Sequence, residues 1–178
     1  MTQNRSRTRK WVAALGSALF LVLVPGFVAG VVPWWISHWR LEPSLFGWPV
    51  LRFVGGLLIA AGLPVLVDSF GRFALQGLGT PAPVLPTRHL VVTGLYRHVR
   101  NPMYVAVAAV IAGQGLLLGN VAVLEYGALV WLAFHIFVLA YEEPALRSTF
   151  GPEYEDFRAN VPRWIPRLRP WRPNTSLP

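Results

Sequence analysis

The chain has 178 residues and a formal net charge of +8; 54% of its residues are hydrophobic and only 13% are charged. Soluble domains carry about 25% charged residues, so this composition excludes an ordinary water-soluble protein. It also leaves too little soluble surface for nucleic-acid binding. The apolar residues are gathered into runs that are long enough to cross a bilayer.

Two apolar runs near the N-terminus predict two transmembrane helices. Residues 11–36 contain no charged residue and end in the aromatic pair Trp34-Trp35. This run is longer than the apolar region of a signal peptide, and such tryptophans favour a membrane interface, so we predict a span. Residues 53–67 form a shorter run, which spans the membrane if Arg52 extends its guanidinium to the interface.

Two further runs predict a helical hairpin. Residues 102–124 are uncharged, and residues 126–141 contain one titratable group, His135. Gly119-Asn120 is the natural turn between the two helices. Pro102 suits the first turn of the third helix, because its missing N–H is not needed there. We therefore predict an all-α integral membrane protein with about four transmembrane helices, the last two forming a tight hairpin.

The basic residues indicate the orientation in the membrane. Arg40 and Arg52 lie in the first loop, whereas the rest of the 16 basic residues lie before the first helix, in loop 72–101 or after the last helix. The positive-inside rule therefore places both termini and loop 72–101 in the cytosol. We expect a protein of a bacterial inner membrane.

Loop 72–101 faces a carboxylate pair in this topology. The loop is rich in proline but also holds recurring apolar residues, which favours a packed loop over a flexible linker. In a hairpin that turns at Gly119-Asn120, the pair Glu142-Glu143 lies level with residues 97–100. Carboxylates are unfavourable at a helix C-terminus, so we expect a cation to offset them. The candidates are Arg97, Arg100 and Arg147, or a cationic ligand.

Other residues bear on whether the chain has a metal site and on how its helices pack. The chain has no cysteine, and its four histidines and eight acidic residues are too dispersed to suggest a metal site. Gly113 and Gly115 lie near the outer end of the hairpin, where glycine favours close helix packing. His135 lies on an apolar stripe and is interpreted as a hydrogen-bonded core residue.

Four motifs in order resemble a known family. "GLYRHVRNPMY", the apolar hairpin, "YEEPAL", "FGPEYEDF" and "VPRWIP" are similar to the isoprenylcysteine carboxyl methyltransferase family of membrane enzymes, over roughly residues 70–167. "NPMY" and "YEEP" also resemble the phosphatidylethanolamine N-methyltransferases. The resemblance implies transfer of a methyl group from S-adenosylmethionine to a lipophilic acceptor at the cytosolic face, either an isoprenoid or lipid carboxylate or an amine.

The same resemblance implies the domain organisation and the site residues. The chain divides into a basic N-terminus (1–10), two N-terminal helices (11–71), a catalytic core (72–167) and a tail (168–178). The cofactor-binding candidates are Arg88, His89, Leu90, Val91, Tyr96, Asn101, Pro102, Met103, Tyr104 and Glu142. The catalytic candidates are His98, Glu143 and Arg100. A Gly-x-Gly element of the phospholipid enzymes matches Gly77-Leu78-Gly79.

These candidates have expected roles. Glu142 pairs with a cationic group of the cofactor, and Tyr96 or Tyr104 stacks on its adenine. One of the basic residues at positions 97, 98 and 100 binds the cofactor's carboxylate, ideally as a bidentate arginine pair. If the acceptor carries a proton, His98 is the first candidate base and Glu143 the second.

Two positions depart from the isoprenylcysteine enzymes, which carry His in place of Asn101 and a substrate-binding Arg in place of Val138. An apolar residue does not neutralise a carboxylate, so the acceptor stays open, as does the oligomeric state. An NADPH-dependent membrane reductase of related architecture and a non-enzymatic membrane protein are the alternatives. Residues 163–173 are interpreted as an interfacial anchor on anionic lipid, with Arg163 kept as a site candidate.

Overall fold

The structure is a computed structural model that describes residues 24–72, 90 and 92–172. The described part is helical and contains no strand, as predicted. Its helices are α1 (Val32–Ser37), α2 (Val50–Arg72), α3 (Pro102–Leu118), α4 (Val121–Phe137), α5 (Glu143–Phe150) and α6 (Pro152–Asn160). π-Helical turns cover Phe27–Val31 and Val138–Glu142, and short 3-10 turns cover Leu45–Gly47 and Gly94–Arg97.

Two helical stretches of the described residues are long and apolar enough to cross a membrane. They are Val50–Ser69 and Val121–Phe150, the latter comprising α4, the second π-helical turn and α5, and 17% of the apolar window of each is buried. On these stretches Leu57, Leu132 and Ile136 are each 53–56% exposed, as expected of surfaces that face lipid. Val24–Ser37 and Pro102–Leu118 are shorter apolar helices. Residues 11–23 of the first predicted span lie outside the described residues.

Glycines allow α3 to pack closely between its neighbours. A Cβ added to Gly55 of α2 would lie 2.5 Å from the carbonyl oxygen of Gly113, and one added to Gly113 would lie 2.7 Å from that of Gly55. Gly115 faces α4 at a similarly short distance, since a Cβ added to it would lie 2.6 Å from Cδ2 of Leu124. The predicted packing role of Gly113 and Gly115 is confirmed. The buried core is built mainly on α3, through Ala106, Val107, Val110 and Ile111.

The turn between α3 and α4 lies at Gly119-Asn120, where the sequence predicts it. Gly119 has a φ of +74°, and a Cβ there would meet the carbonyl oxygen of Pro43. Asn120 caps α4, because its side-chain oxygen accepts from the N–H of Val123 at 3.0 Å. Its Nδ2 donates to Oε1 of Glu42 at 2.8 Å, which ties the turn to the loop before α2.

Replacing Asn120 with alanine is expected to lower the free energy of unfolding by about 1–2 kcal/mol, because the variant loses the cap of α4 and the donor to Glu42. Asn120→Ser keeps a side-chain oxygen at the cap, so we expect a smaller loss. Titration of the purified protein in mixed micelles with SDS measures both values. Equal losses in the two variants would contradict the capping role.

Candidate functional site

A tyrosine and a glutamate meet where α3 begins and the second π-helical turn ends. The hydroxyl of Tyr104 donates to Oε2 of Glu142 at 2.8 Å, and both side chains are half-buried. Among the described residues Tyr104 is the donor to this carboxylate, which leaves Oε1 without a donor from them. The ring of Tyr104 packs against Phe134, with 4.8 Å between the ring centroids. One face of this ring is therefore already covered by protein.

Tyr96 lies beside this pair. It belongs to the 3-10 turn Gly94–Arg97 and is 7% exposed, and the negative charge of Glu142 acts on its phenol. Burial is the main cause that raises the pKa of Tyr96, so the phenol stays protonated. Arg72, at the end of α2, pairs with Asp68 at 2.8 Å and lies against Gly94, whose φ is +55°. The turn that carries Tyr96 is thus held against the end of α2.

Glu143 lies at the centre of a buried charge cluster. It is 7% exposed and accepts a bidentate pair from Arg163, with Nε–Oε1 at 2.6 Å and Nη2–Oε2 at 3.0 Å. Arg100 adds a contact at 3.0 Å from Nη1 to Oε1, and the same nitrogen donates to the hydroxyl of Tyr154 at 3.2 Å. The hydrogen bond that Arg163 donates to Glu143 is the main cause that raises the pKa of Arg163, so this guanidinium stays charged.

The cluster tests what the sequence predicts for the carboxylate pair and for the cations that offset it. The contact of Arg100 with Glu143 confirms that the carboxylate pair faces the end of loop 72–101. The two carboxylates have separate partners, because successive residues of a helix point in different directions. Of the other two candidate cations, Arg147 pairs with Glu155 at 2.7 Å, and Nε of Arg97 donates to the carbonyl oxygen of Trp171.

Residues 162–171, here called the C-terminal segment, are hydrogen-bonded to residues 97–101, here called the loop segment. The bonds run from Arg100 N to Pro162 O (2.9 Å), Asn101 Nδ2 to Arg163 O (3.2 Å), Arg167 N to His98 O (2.9 Å), His98 Nδ1 to Arg167 O (2.7 Å) and Trp171 N to Arg97 O (2.9 Å). Trp171 also packs against Phe157, with 5.8 Å between the ring centroids. The two segments therefore form one hydrogen-bonded unit.

The hydrogen-bond partners of two histidines define the tautomer of each ring. The carbonyl oxygen of Arg167 can only accept, so the proton of neutral His98 is on Nδ1 and the lone pair is on Nε2. The indole N–H of Trp164 donates to Nδ1 of His135 at 3.1 Å, so the proton of His135 is on Nε2. The hydrogen bond predicted for His135 is confirmed, although its side chain is half-buried and lies outside the buried core.

The structure brings together only some of the predicted cofactor-binding residues. Tyr96, Tyr104 and Glu142 form one group. Asn101 is 8% exposed and points to the C-terminal segment, Pro102 is the first residue of α3, and Met103 packs on the core. Leu90 packs on the buried cluster of Tyr154, Phe157 and Val161. Arg88, His89 and Val91, together with the Gly-x-Gly element at 77–79, lie outside the described residues.

Sequence reasoning missed two residues that shape the site. Tyr154 is 1% exposed and binds Arg100, and the "FGPEYEDF" motif that contains it was the available signal. Trp164 packs on Trp131, with 4.6 Å between the ring centroids, and donates to His135. Val138 is 1% exposed, so the position where the resemblance has an arginine is enclosed by packing.

A helical membrane protein with a polar site at one end of its apolar helices is the class that this fold and site define. The model of the phospholipid methyltransferase family matches residues 50–153, which is more than half of the chain. The chain belongs to the phospholipid methyltransferase family, and the relationship predicted from the motifs is confirmed.

Two curated relatives resemble parts of the chain. The protein-S-isoprenylcysteine O-methyltransferase of Schizosaccharomyces pombe is 41% identical over 82 residues, which are 45% of this chain and 34% of the relative. The nickel-cobalt-cadmium resistance protein NccN of Alcaligenes xylosoxydans xylosoxydans is 30% identical over 87 residues, which are 49% of this chain and 40% of the relative. The matched region thus spans 34% and 40% of the relatives' own lengths.

Proposed function

We propose that this protein transfers a methyl group from S-adenosylmethionine to a lipophilic acceptor, either an isoprenoid or lipid carboxylate or an amine. In this proposal four helices span the membrane, and the site and both termini face the cytosol. Membership of the family and the name of the yeast relative support methyl transfer. The observation that carries the proposal is the Tyr104–Glu142 pair, a half-buried carboxylate with one oxygen oriented by a phenol and the other without a donor among the described residues.

The residues of this pair fit the charges of the proposed cofactor. S-adenosylmethionine, when bound, supplies a methyl group that is activated by a sulfonium charge. Oε1 of Glu142 is suited to its ammonium, because this oxygen has no donor among the described residues. Arg97 is suited to its carboxylate, since no carboxylate lies within ion-pair distance of its guanidinium in the part of the chain that the structure describes.

The other site residues have supporting roles in this proposal. Tyr104 holds the carboxylate of Glu142 in one orientation, which favours transfer through alignment. The Nε2 of His98 takes the proton of an acceptor that carries one. Both oxygens of Glu143 are engaged by arginine, so Glu143 is better suited to hold Arg100 and Arg163 in place than to take a proton.

Binding of S-adenosylmethionine to the detergent-purified protein, measured by calorimetry, tests the proposal. We expect Glu142→Gln to weaken binding about tenfold, because it removes the charge that pairs with the ammonium. Tyr104→Phe is expected to weaken it about threefold, because the carboxylate loses its orienting donor. Glu125→Gln, on the exposed surface of α4, is the matched control and should bind like the unaltered protein.

The outcomes separate the alternatives. Absence of binding by the folded protein, with binding of NADPH instead, would contradict the proposal and favour a reductase.

For the base role, His98→Gln should bind the cofactor normally and slow the incorporation of labelled methyl groups into a total lipid extract. Normal incorporation by this variant would remove His98 from the chemistry.

A further inference from the structure

We propose that the C-terminal segment re-enters the membrane interface, where the side chains of Ile165 and Leu168 contact lipid acyl chains. The segment follows α6 and contains neither helix nor strand. Ile165 is 78% exposed and Leu168 is 97% exposed within the chain. The inference depends on the membrane location and does not depend on the proposed methyl transfer.

The depth of the segment follows from the residues that Trp164 contacts. Trp164 packs on Trp131 and bonds to His135, both of which belong to the apolar stretch that is long enough to span the membrane. At about 1.5 Å per residue, His135 lies about 10 Å and Trp131 about 16 Å along the helix from Glu142. Between Glu125 and Glu142 this stretch carries no acidic or basic residue other than His135, so that part of the helix fits the depth of the hydrocarbon.

The side-chain contacts of Trp164 and Arg163 define how deep the backbone at 163–164 lies in the membrane. The indole reaches toward the apolar stretch, whereas the guanidinium of Arg163 reaches Glu143 at the polar end of the same helix. The backbone at 163–164 therefore lies below Glu143, on the membrane side. Ile165 follows directly, and its exposed side chain is at the depth where acyl chains begin.

A non-helical backbone can occupy this depth only if its polar groups are satisfied. Three residues of the C-terminal segment have no N–H to satisfy, namely Pro162, Pro166 and Pro170. The loop segment donates to four carbonyl groups, those of Pro162, Arg163, Arg167 and Trp171, and accepts from the N–H groups of Arg167 and Trp171. These contacts satisfy part of the segment's backbone from protein, and the hydrated headgroup region can satisfy the remaining groups.

The charges that flank the exposed side chains also fit contact with lipid. Arg169 and Arg172 are exposed, and they follow Leu168 on the side of the segment that leads away from Trp164. Exposed apolar side chains beside exposed arginines match the arrangement of acyl chains beneath anionic headgroups. A water-facing segment would instead leave Leu168 almost completely hydrated.

Spin labels on single cysteines test this inference directly, because the natural chain has no cysteine. Leu168→Cys and Ile165→Cys are labelled with a nitroxide and reconstituted into vesicles of phosphatidylethanolamine and phosphatidylglycerol. Leu132→Cys, on the exposed surface of α4, is the lipid-facing reference, and Ser148→Cys, exposed on α5 beyond Glu143, is the water-facing reference. Collision of each label with oxygen and with a water-soluble nickel complex is measured by power saturation.

We expect the oxygen-to-nickel collision ratio at positions 165 and 168 to approach that of the Leu132→Cys label and to exceed that of the Ser148→Cys label severalfold. A ratio like that of the Ser148→Cys label would overturn the inference, since the segment would then face water. Low collision with both reagents would overturn it too, because protein, such as a second copy of the chain, would then cover the segment. Circular dichroism and gel filtration confirm that each variant is folded.

Discussion

Replacing Glu143 with alanine is expected to lower the free energy of unfolding by about 3 kcal/mol, because two guanidinium groups lose their shared carboxylate. The side chains of Glu143 and Arg100 are each 9% exposed, so Arg100 would be left charged and desolvated. Arg163 is 28% exposed in its side chain and can turn to water, which places the loss at the lower end of the range for buried pairs.

The exposed pair of Arg147 and Glu155 provides the matched comparison. Their side chains are 45% and 47% exposed, so Glu155→Ala is expected to cost less than about 1 kcal/mol. Glu143→Gln keeps the size of the side chain and isolates the loss of charge. SDS titration in mixed micelles gives all three values. Similar losses for Glu143→Ala and Glu155→Ala would show that the buried cluster does not hold the C-terminal segment.

Replacing Gly55 with alanine is expected to lower the free energy of unfolding by about 2–3 kcal/mol, because the new methyl group would overlap the backbone of α3. The nearest atoms to a Cβ at this position are the carbonyl oxygen of Gly113 at 2.5 Å and the N–H nitrogen of Leu117 at 2.6 Å. Backbone atoms cannot turn aside as a side chain can, so α2 and α3 must separate.

The neighbouring Gly56 is the control for this variant. A Cβ at Gly56 would meet nothing within 4 Å, so Gly56→Ala should be neutral or stabilise the protein by about 0.5–1 kcal/mol through lower backbone entropy of the unfolded chain. The same SDS titration measures both variants. A loss in Gly56→Ala equal to that in Gly55→Ala would contradict the role of the contact of α2 with α3, because alanine at the open Gly56 position favours the helix.

The parts of the fold that depend on local chemistry could be predicted from the sequence. Gly119 supplies the left-handed conformation of the turn, Asn120 supplies the cap, and Pro102 fits the first turn of α3. The level of the carboxylate pair followed from counting residues on either side of that turn, since helical rise is nearly constant. This count placed Arg100 opposite Glu143.

The parts that depend on distant segments could not be predicted. Arg163 reaches Glu143 across 20 residues, and His98 bonds to Arg167 across 69. Neither contact leaves a periodic pattern, because the C-terminal segment has no regular structure and its path depends on packing against α4. The choice of partner for each carboxylate was open for the same reason. Proline spacing and the single motif "VPRWIP" were the only local signals.

The π-helical turn Val138–Glu142 has a consequence for how related chains are compared. Such a turn forms when a helix takes in one additional residue and keeps the surfaces on either side in place. Loss of one residue here would restore a regular helix, with His135 still against Trp164 and Glu143 still against the arginines. Evolution can therefore change the length of this helix by one residue without rebuilding the protein. An alignment that counts from α4 to the glutamates must allow a one-residue gap at this turn.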